Sequence, residues 1–120
     1  MANEINVRMG LSINKNNSVI SGVADNKYDL VGDERFAGVQ VISTAGEGIN
    51  FPADLVAAGV TFIWVKNLST TQTIEISNGM TLKPGEGTLF RSTTGPGVDP
   101  ALTATAIGAP ADLEIIAAGT

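Results

Sequence analysis

The stretch that decides the fold is GVTFIWVKNLSTTQTIEISNG, residues 59–79, which contains the single tryptophan of the chain. Apolar or β-branched side chains occupy both alternating faces of its first part. One face has Val60, Phe62 and Trp64, and the other has Thr61, Ile63 and Val65. Two apolar faces are typical of a strand in the middle of a sandwich sheet that is covered on both sides. We therefore predict a central strand over residues 60–67, with Trp64 in the core.

Period-two patterns also occur near the N-terminus. Between residues 5 and 13 apolar side chains alternate with polar or small ones, at Ile5, Val7, Met9, Leu11 and Ile13. This alternation predicts a half-buried strand with one polar face. Residues 15–18 then predict a turn, residues 19–24 a short second strand, and residues 25–34 a polar, turn-rich segment.

The segments that flank and follow the central strand are short and separated by turn signals. Residues 36–43 predict a strand, residues 49–51 a short extended segment, and residues 52–58 one helical turn that Gly59 ends as a left-handed cap. After the central strand, residues 73–77 predict a hairpin partner with Ile74 and Ile76 on one face. The remaining strands are predicted over residues 88–91, 102–106 and 113–117.

Two turns in this part of the chain have strong local signals. Asn78-Gly79 is the strongest, because both residues tolerate a positive φ. Lys83-Pro84-Gly85-Glu86 has proline and glycine at the two central positions of a type II turn. Eight to ten short strands with regular turns predict an all-β protein, a single-domain antiparallel β-sandwich or jelly-roll-like barrel over residues 1–120, with at most one short helical turn.

The charge of the chain disfavours polyanionic partners. The formal net charge is −5, and the seven cations are scattered. They are Arg8, Lys15, Lys27, Arg35, Lys66, Lys83 and Arg91. Without a basic patch to neutralise phosphates we expect no nucleic-acid partner, and an anionic membrane surface would repel the chain.

The residue types offer little for catalysis. Histidine and cysteine are both absent, which removes the commonest general base, the usual triad partner and thiolate chemistry. Ser43, Ser69 and Ser92 stand beside turns and are expected to bond local backbone. The glycine-rich stretches AGEGI and PGEG do not lead into helices and are expected to be turns. We expect no enzyme and no cofactor.

One acidic segment is a candidate calcium site. Its carboxylates are Asp25, Asp29, Asp33 and Glu34, but their spacing does not match the loop that supplies oxygen ligands to calcium. A solvated polar turn is the expected alternative. Tyr28, in the same polar segment, is the better candidate for an exposed aromatic that could stack on a sugar.

Residues 29–118 resemble small virion structural proteins of tailed bacteriophages. The likeness follows the blocks DLVGDERF, VQVISTAGEGINFP, VKNLSTTQTIEI and LKPGEGTLFR, and an alanine-rich closing strand with a Leu-Glu pair. The blocks VKNLSTTQTIEI and LKPGE carry most of it, and the N-terminal third is less similar. In this pattern Asn67 is expected to bond the backbone that follows it and to fix the turn.

The resemblance implies a virion protein that decorates or cements the capsid shell. Its partners would be the major capsid protein or other virion proteins, with homo-oligomers on a particle assembled in the host cytoplasm. The expected contact regions are residues 4–13, 92–100 and 115–120, together with Tyr28. The individual candidates are Ile5, Val7, Met9, Tyr28, Gly95, Pro96, Val98 and Ile116. A neck, tail or fibre component, or a module that binds carbohydrate or a host surface, stays open as an alternative.

Overall fold

The computed structural model describes residues 4–28, 35–77, 79–92 and 95–119. The chain divides into two compact units, Met1–Leu30 and Val31–Thr120. The expectation of one domain over residues 1–120 stays a prediction. Of the predicted features, Asp29, Asp33, Glu34 and Asn78 lie outside the described residues, as do parts of the segments 92–100 and 115–120.

The first unit is a two-stranded antiparallel ribbon. Strand β1 is Ile5–Lys15 and strand β2 is Ser18–Tyr28, and the register runs without interruption from the Ile5–Tyr28 pair to the Lys15–Ser18 pair. The turn between them has positive φ at both central residues, Asn16 at 53° and Asn17 at 62°. This is the conformation of a two-residue turn whose twist matches the flanking strands. The predicted turn is confirmed.

The second strand is longer than predicted. Residues 25–28 were expected in a polar, turn-rich segment, but they continue β2 because each of them pairs with a residue of β1. The ladder hydrogen bonds of an antiparallel pair do not depend on apolar side chains, so polar residues extend the strand. The expectation of turns was therefore wrong for residues 25–28.

The second unit contains two four-stranded antiparallel sheets and one six-residue helix among the described residues. Its elements are β3 Arg35–Ile42, β4 Glu47–Gly48, α1 Ala53–Ala58, β5 Phe62–Asn67, β6 Thr73–Ile76, β7 Met80–Leu82, β8 Gly87–Arg91, β9 Thr103–Ile107 and β10 Ala111–Ala118. The first sheet has the order β3-β10-β5-β8, and the second has the order β4-β9-β6-β7. The predicted all-β fold is confirmed.

The core lies between the inward faces of these two sheets. The first sheet contributes mainly alternate residues of β5 and β10, including Ile63, Val65, Leu113 and Ile115, each at most 1% exposed. The second sheet contributes Ile74, Ile76, Leu82, Ala104 and Ala106. Residues at every second position of a strand share a face, so the period-two patterns correctly predicted the inward sets of β6, β9 and β10.

The predicted turn at Pro84-Gly85 is confirmed, and the predicted end of the helix at Gly59 is confirmed with one correction. Gly85 has φ of 80°, and Glu86 N donates to Lys83 O at 3.0 Å, as a type II turn requires. Gly59 ends α1 with its N–H donating to Leu55 O at 3.0 Å. Its φ is positive, at 103°, but its ψ of 116° lies outside the left-handed helical region, so the predicted left-handed cap was wrong in its ψ.

Strand β6 does not pair with β5, so the predicted hairpin between them was wrong. It pairs with β7 and β9 in the second sheet. The chain thus passes from the first sheet to the second between β5 and β6. Asn67, at the end of β5, is fully buried and stabilises this connection. Its Nδ2 donates to Gln72 O at 2.7 Å and to Leu82 O at 3.0 Å, and its Oδ1 accepts from Ser69 N at 3.0 Å. The expected bond to the following backbone is confirmed, and the same amide also joins the two sheets.

Candidate interaction surfaces

The ribbon has one apolar face. The pairing places Ile5 opposite Tyr28, Met9 opposite Ala24, and Ile13 opposite Ile20. Directly paired residues point to the same side of an antiparallel pair. Most of the apolar residues of the two strands therefore lie on this side, which we call the ribbon apolar face and define as Ile5, Val7, Met9, Leu11, Ile13, Ile20, Ala24 and Tyr28.

Exposure on the ribbon apolar face increases towards the turn. Val7 is 7% exposed, and Ile5 and Tyr28 are half-buried. Leu11 is 68% exposed and Ile20 is 69% exposed. The half of the face next to the turn is thus an apolar surface in water. Contiguous exposed apolar surface is typical of an interaction site.

The opposite face of the ribbon is mostly polar. Arg8 and Asp25 are directly paired across the strands, with Arg8 Nε 3.4 Å from Asp25 Oδ2. Both side chains are well exposed, so this ion pair adds little to stability. Val19 and Val23 are the large apolar residues of this face. The two faces therefore offer an internal comparison for any test of binding.

The sequence predicted part of the ribbon surface. It named Ile5, Val7, Met9 and Tyr28, and the structure places all four on one face. Tyr28 was expected to be exposed, but it is half-buried. The expected half-burial of the whole strand was wrong, because Met9, Leu11 and Ile13 are exposed. Ile20, on β2, was missed, although its pairing with Ile13 makes it part of the same surface.

A second surface lies on the side of the first sheet that points away from the core. We call it the outer sheet face and define it by Val39, Val41, Phe62, Trp64, Lys66, Leu89, Glu114 and Ile116. Val39 and Val41 on β3 are each 60% exposed, and Ile116 on β10 is 45% exposed. Ile116, named from the sequence, pairs with Ala37 on one side and Trp64 on the other. It therefore lies near the middle of this face.

Trp64 lies on the outer sheet face and not in the core, so the predicted core position was wrong. Ile63 and Val65 point inward, which sends Trp64 to the other side of the same strand. Its Nε1 donates to Glu114 Oε1 at 2.9 Å. On the other side, a Cβ added at Gly87 would lie 2.8 Å from the indole ring. The indole is thus held across the sheet between β10 and β8.

Phe62 belongs to the same face but is largely covered. The guanidinium carbon of Arg91 lies 5.5 Å from the centre of its ring, within the range of a cation–π contact. Phe62 is 7% exposed. The two apolar faces predicted for β5 therefore exist, but only the inward face is fully covered, and Trp64 on the outward face is half-buried.

The described part of the loop over residues 92–100 is bound to the end of α1. Gly97 N donates to Val56 O at 2.8 Å, and a Cβ added at Gly59 would lie 3.5 Å from Pro96 N. Gly95 and Pro96 are exposed, and Val98 is 52% exposed. The loop was predicted to be a flexible exposed arm, but Pro96 and Gly97 contact the C-terminal end of α1. A role in contacts stays a prediction.

The residues considered for chemistry have local partners. Ser69 Oγ accepts from Thr71 N and Gln72 N, which confirms its role as a turn hydroxyl. Gly46 and Gly85 have positive φ and lie in turns, as expected for AGEGI and PGEG, but Glu47–Gly48 form β4 and Gly87 begins β8. In the described ranges, no three acidic residues lie close enough together to hold a metal ion. Over the same ranges there is no helix long and apolar enough to cross a membrane.

Comparisons with known proteins add no neighbour to this picture. No family model, no curated protein and no solved structure matches the chain.

Proposed function

We propose that this protein is a structural component of a tailed-bacteriophage virion, and that it decorates or cements the capsid shell by protein–protein contacts. The observation that carries the proposal is the ribbon apolar face. Two eleven-residue strands stand as a unit of their own, with Leu11 and Ile20 more than two-thirds exposed. A two-stranded hairpin is at best marginally stable in water, so an apolar partner surface would stabilise it.

The chemistry of the ribbon supports a protein partner. Its exposed apolar residues can be buried against the apolar surface of a neighbour, while Arg8 and Asp25 on the opposite face stay in water. An apolar centre with a polar margin is the usual composition of a protein–protein interface. Among the described strands, β1 and β2 pair only with each other. Strand addition to a sheet of the neighbour is therefore a second mode of contact that the ribbon offers.

The likeness to phage virion proteins supports the same proposal from the sequence. The blocks VKNLSTTQTIEI and LKPGE lie at positions where the fold is rigid. Asn67 makes three side-chain hydrogen bonds at the first block, and Gly85 holds a positive φ at the second. These devices stabilise a scaffold that presents surfaces, which is what a shell component requires.

Copy number in purified particles of the source phage is the first test. The chain would be quantified by gel densitometry against the major shell protein. We expect near-stoichiometric amounts, because a decorating protein occupies equivalent sites of a symmetric shell. A small copy number would instead favour a neck, tail or fibre component. Absence from particles would contradict a virion role and favour a binding module for carbohydrate or a host surface.

A pair of matched variants tests the ribbon. Ile13→Thr with Ile20→Thr replaces one directly paired set of the ribbon apolar face, while Val19→Thr with Val23→Thr makes a similar apolar-to-polar change on the opposite face. Threonine keeps the β-branch, so the strand propensity is preserved in both variants. We expect the first variant to be incorporated into particles at least about tenfold less, since losing two buried isoleucines costs a few kcal/mol.

The second variant should be incorporated like the unmodified chain. Circular dichroism of both variants would show whether the sheets are intact. Equal incorporation of the two variants, with both folded, would contradict the role of the ribbon apolar face.

A further inference from the structure

On the outer sheet face, a pair of oppositely charged residues on neighbouring strands lies next to a pair of apolar residues on the same two strands. The register places Glu114 of β10 beside Lys66 of β5. The next outward pair along the same two strands is Ile116 beside Trp64. One row of the face is therefore acidic on β10 and basic on β5, and the adjacent row is apolar on both strands.

These two rows are complementary to themselves, whereas the next outward row would bring Arg35 of one copy against Arg91 of the other. Consider a two-fold axis that runs parallel to the strands, above the line between β10 and β5. It keeps each row at its own height and exchanges the two strands. Glu114 of one copy then faces Lys66 of the other, and Ile116 faces Trp64. An isologous contact needs such a surface, in which each residue meets a complementary one under the same operation.

We propose that two copies of this chain associate through their outer sheet faces about this axis. The contact would bury Ile116 and the exposed part of Trp64 at its centre, with two Glu114–Lys66 pairs beside them. It does not depend on the proposed virion function, because it concerns the purified chain alone. Face-to-face packing of two sheets with nearly parallel strands is a common arrangement.

The size of the face sets the expected strength. The four strands have 8, 8, 6 and 5 residues. At about 3.3 Å per residue and about 4.8 Å between strands, they give about 430 Å² per copy, or about 860 Å² for both. This is below the usual size of specific interfaces and far below that of stable obligate dimers. We therefore expect a weak dimer that forms at high concentration, as on a crowded particle surface.

The position of Trp64 favours its use as the central contact. Glu114 and the space above Gly87 hold the indole flat against the sheet before any partner binds. Little rotamer freedom is then lost on association, which lowers the entropic cost of binding. Tryptophan is also among the residues that most often dominate interface energies.

The test is a charge exchange followed by sedimentation velocity. Lys66→Glu alone places two acidic rows against each other in a dimer, and Glu114→Lys alone places two basic rows against each other. Each single variant should stay monomeric at concentrations where the unmodified chain dimerises. When the two variants are mixed in equal amounts, both charge contacts become opposite in sign, so a heterodimer should form.

A second comparison is free of charge effects. Ile116→Thr changes the proposed interface, and Ile107→Thr changes an isoleucine of equal exposure, 45%, in the other sheet. We expect Ile116→Thr to weaken dimerisation by about tenfold. Each copy would lose the burial of a half-exposed isoleucine, which together is about one fully buried side chain. Ile107→Thr should leave dimerisation unchanged. The single tryptophan provides a further signal, since its emission should shift to shorter wavelength as the dimer forms.

Three results would overturn the proposal. The unmodified chain could stay monomeric up to about 1 mM, which would leave less than about 4 kcal/mol for association. Dimerisation could be equal in Ile116→Thr and Ile107→Thr. The mixed charge variants, with circular dichroism showing both folded, could fail to associate. If a charge variant does not fold, the two isoleucine variants decide.

Discussion

Asn67 is the polar residue at which the two sheets of the sandwich are joined. It is fully buried, and its amide contacts the backbone at Ser69, Gln72 and Leu82. Its own N–H donates to Glu86 O at 2.9 Å, and its carbonyl accepts from Gly85 N at 3.0 Å. Every polar group of this residue therefore has a partner. A buried amide with complete hydrogen bonding favours one arrangement of the strands around it.

We expect Asn67→Ala to lower the free energy of unfolding by about 3 kcal/mol, because buried backbone groups lose their partners. Asn67→Asp should cost at least as much, since a carboxylate cannot donate to the carbonyls of Gln72 and Leu82. Urea unfolding followed by tryptophan fluorescence would measure both. Asn50→Ala is the matched control, because Asn50 is exposed. A loss below about 1 kcal/mol in both Asn67 variants would show that the hydrogen bonds contribute little.

At the scale of elements, the ribbon depends on its turn. Asn16 and Asn17 both have positive φ, and the two-residue connection sets the register of all the pairs that follow. Asparagine tolerates this conformation better than most residues, but a β-branched side chain does not. The alternation of β1 defines the ribbon apolar face only while this register holds, because a slip of one residue would turn every side chain to the other side.

We expect Asn17→Val to destabilise the ribbon by about 1 to 2 kcal/mol, the cost of a left-handed conformation for a side-chain-bearing residue. Amide hydrogen exchange of β1 and β2 would measure the loss of protection. Asn14→Val is the control, since residue 14 lies within the strand, where valine is favoured. Asn17→Gly should keep or increase protection. Equal protection in Asn17→Val and the unmodified chain would contradict the importance of the turn.

At the scale of the whole molecule, the apolar cluster between the sheets comes from the second unit alone. Its buried residues run from Ile42 to Ala117, and Asn67 closes the crossing between the sheets in the same unit. A domain of this length with one continuous core is large enough to fold. We therefore expect residues 31–120 to fold without residues 1–30.

Calorimetry would check this expectation. The shortened chain should unfold in one cooperative transition. The fluorescence emission of Trp64 should match that of the folded full-length chain. Loss of cooperative unfolding on removal of residues 1–30 would show that the sandwich requires the first unit. The isolated peptide 1–30 offers the reverse comparison, and a lone hairpin should show little stable structure.

Local chemistry made several features predictable from the sequence. The alternation at Leu113, Ile115 and Ala117 predicted an inward face, and all three are buried. Pro84-Gly85 predicted a type II turn, because proline and glycine restrict or permit particular φ values within the turn itself. On the ribbon, Ile5, Val7, Met9 and Tyr28 were predicted from the sequence as contact residues. That Tyr28 shares a face with the other three follows only from the strand pairing.

The tertiary structure alone decided which strands are neighbours and which apolar faces are covered. Strand β6 follows β5 in the chain but joins the other sheet, and Trp64 points outward although its strand is apolar on both sides. Leu11 and Ile13 alternate like core residues and yet are exposed. An alternating pattern shows that a strand has an apolar face, but whether that face is covered depends on long-range packing. The sequence by itself thus determined an all-β chain and most of its turns, while packing between distant segments determined the two surfaces on which the proposed contacts depend.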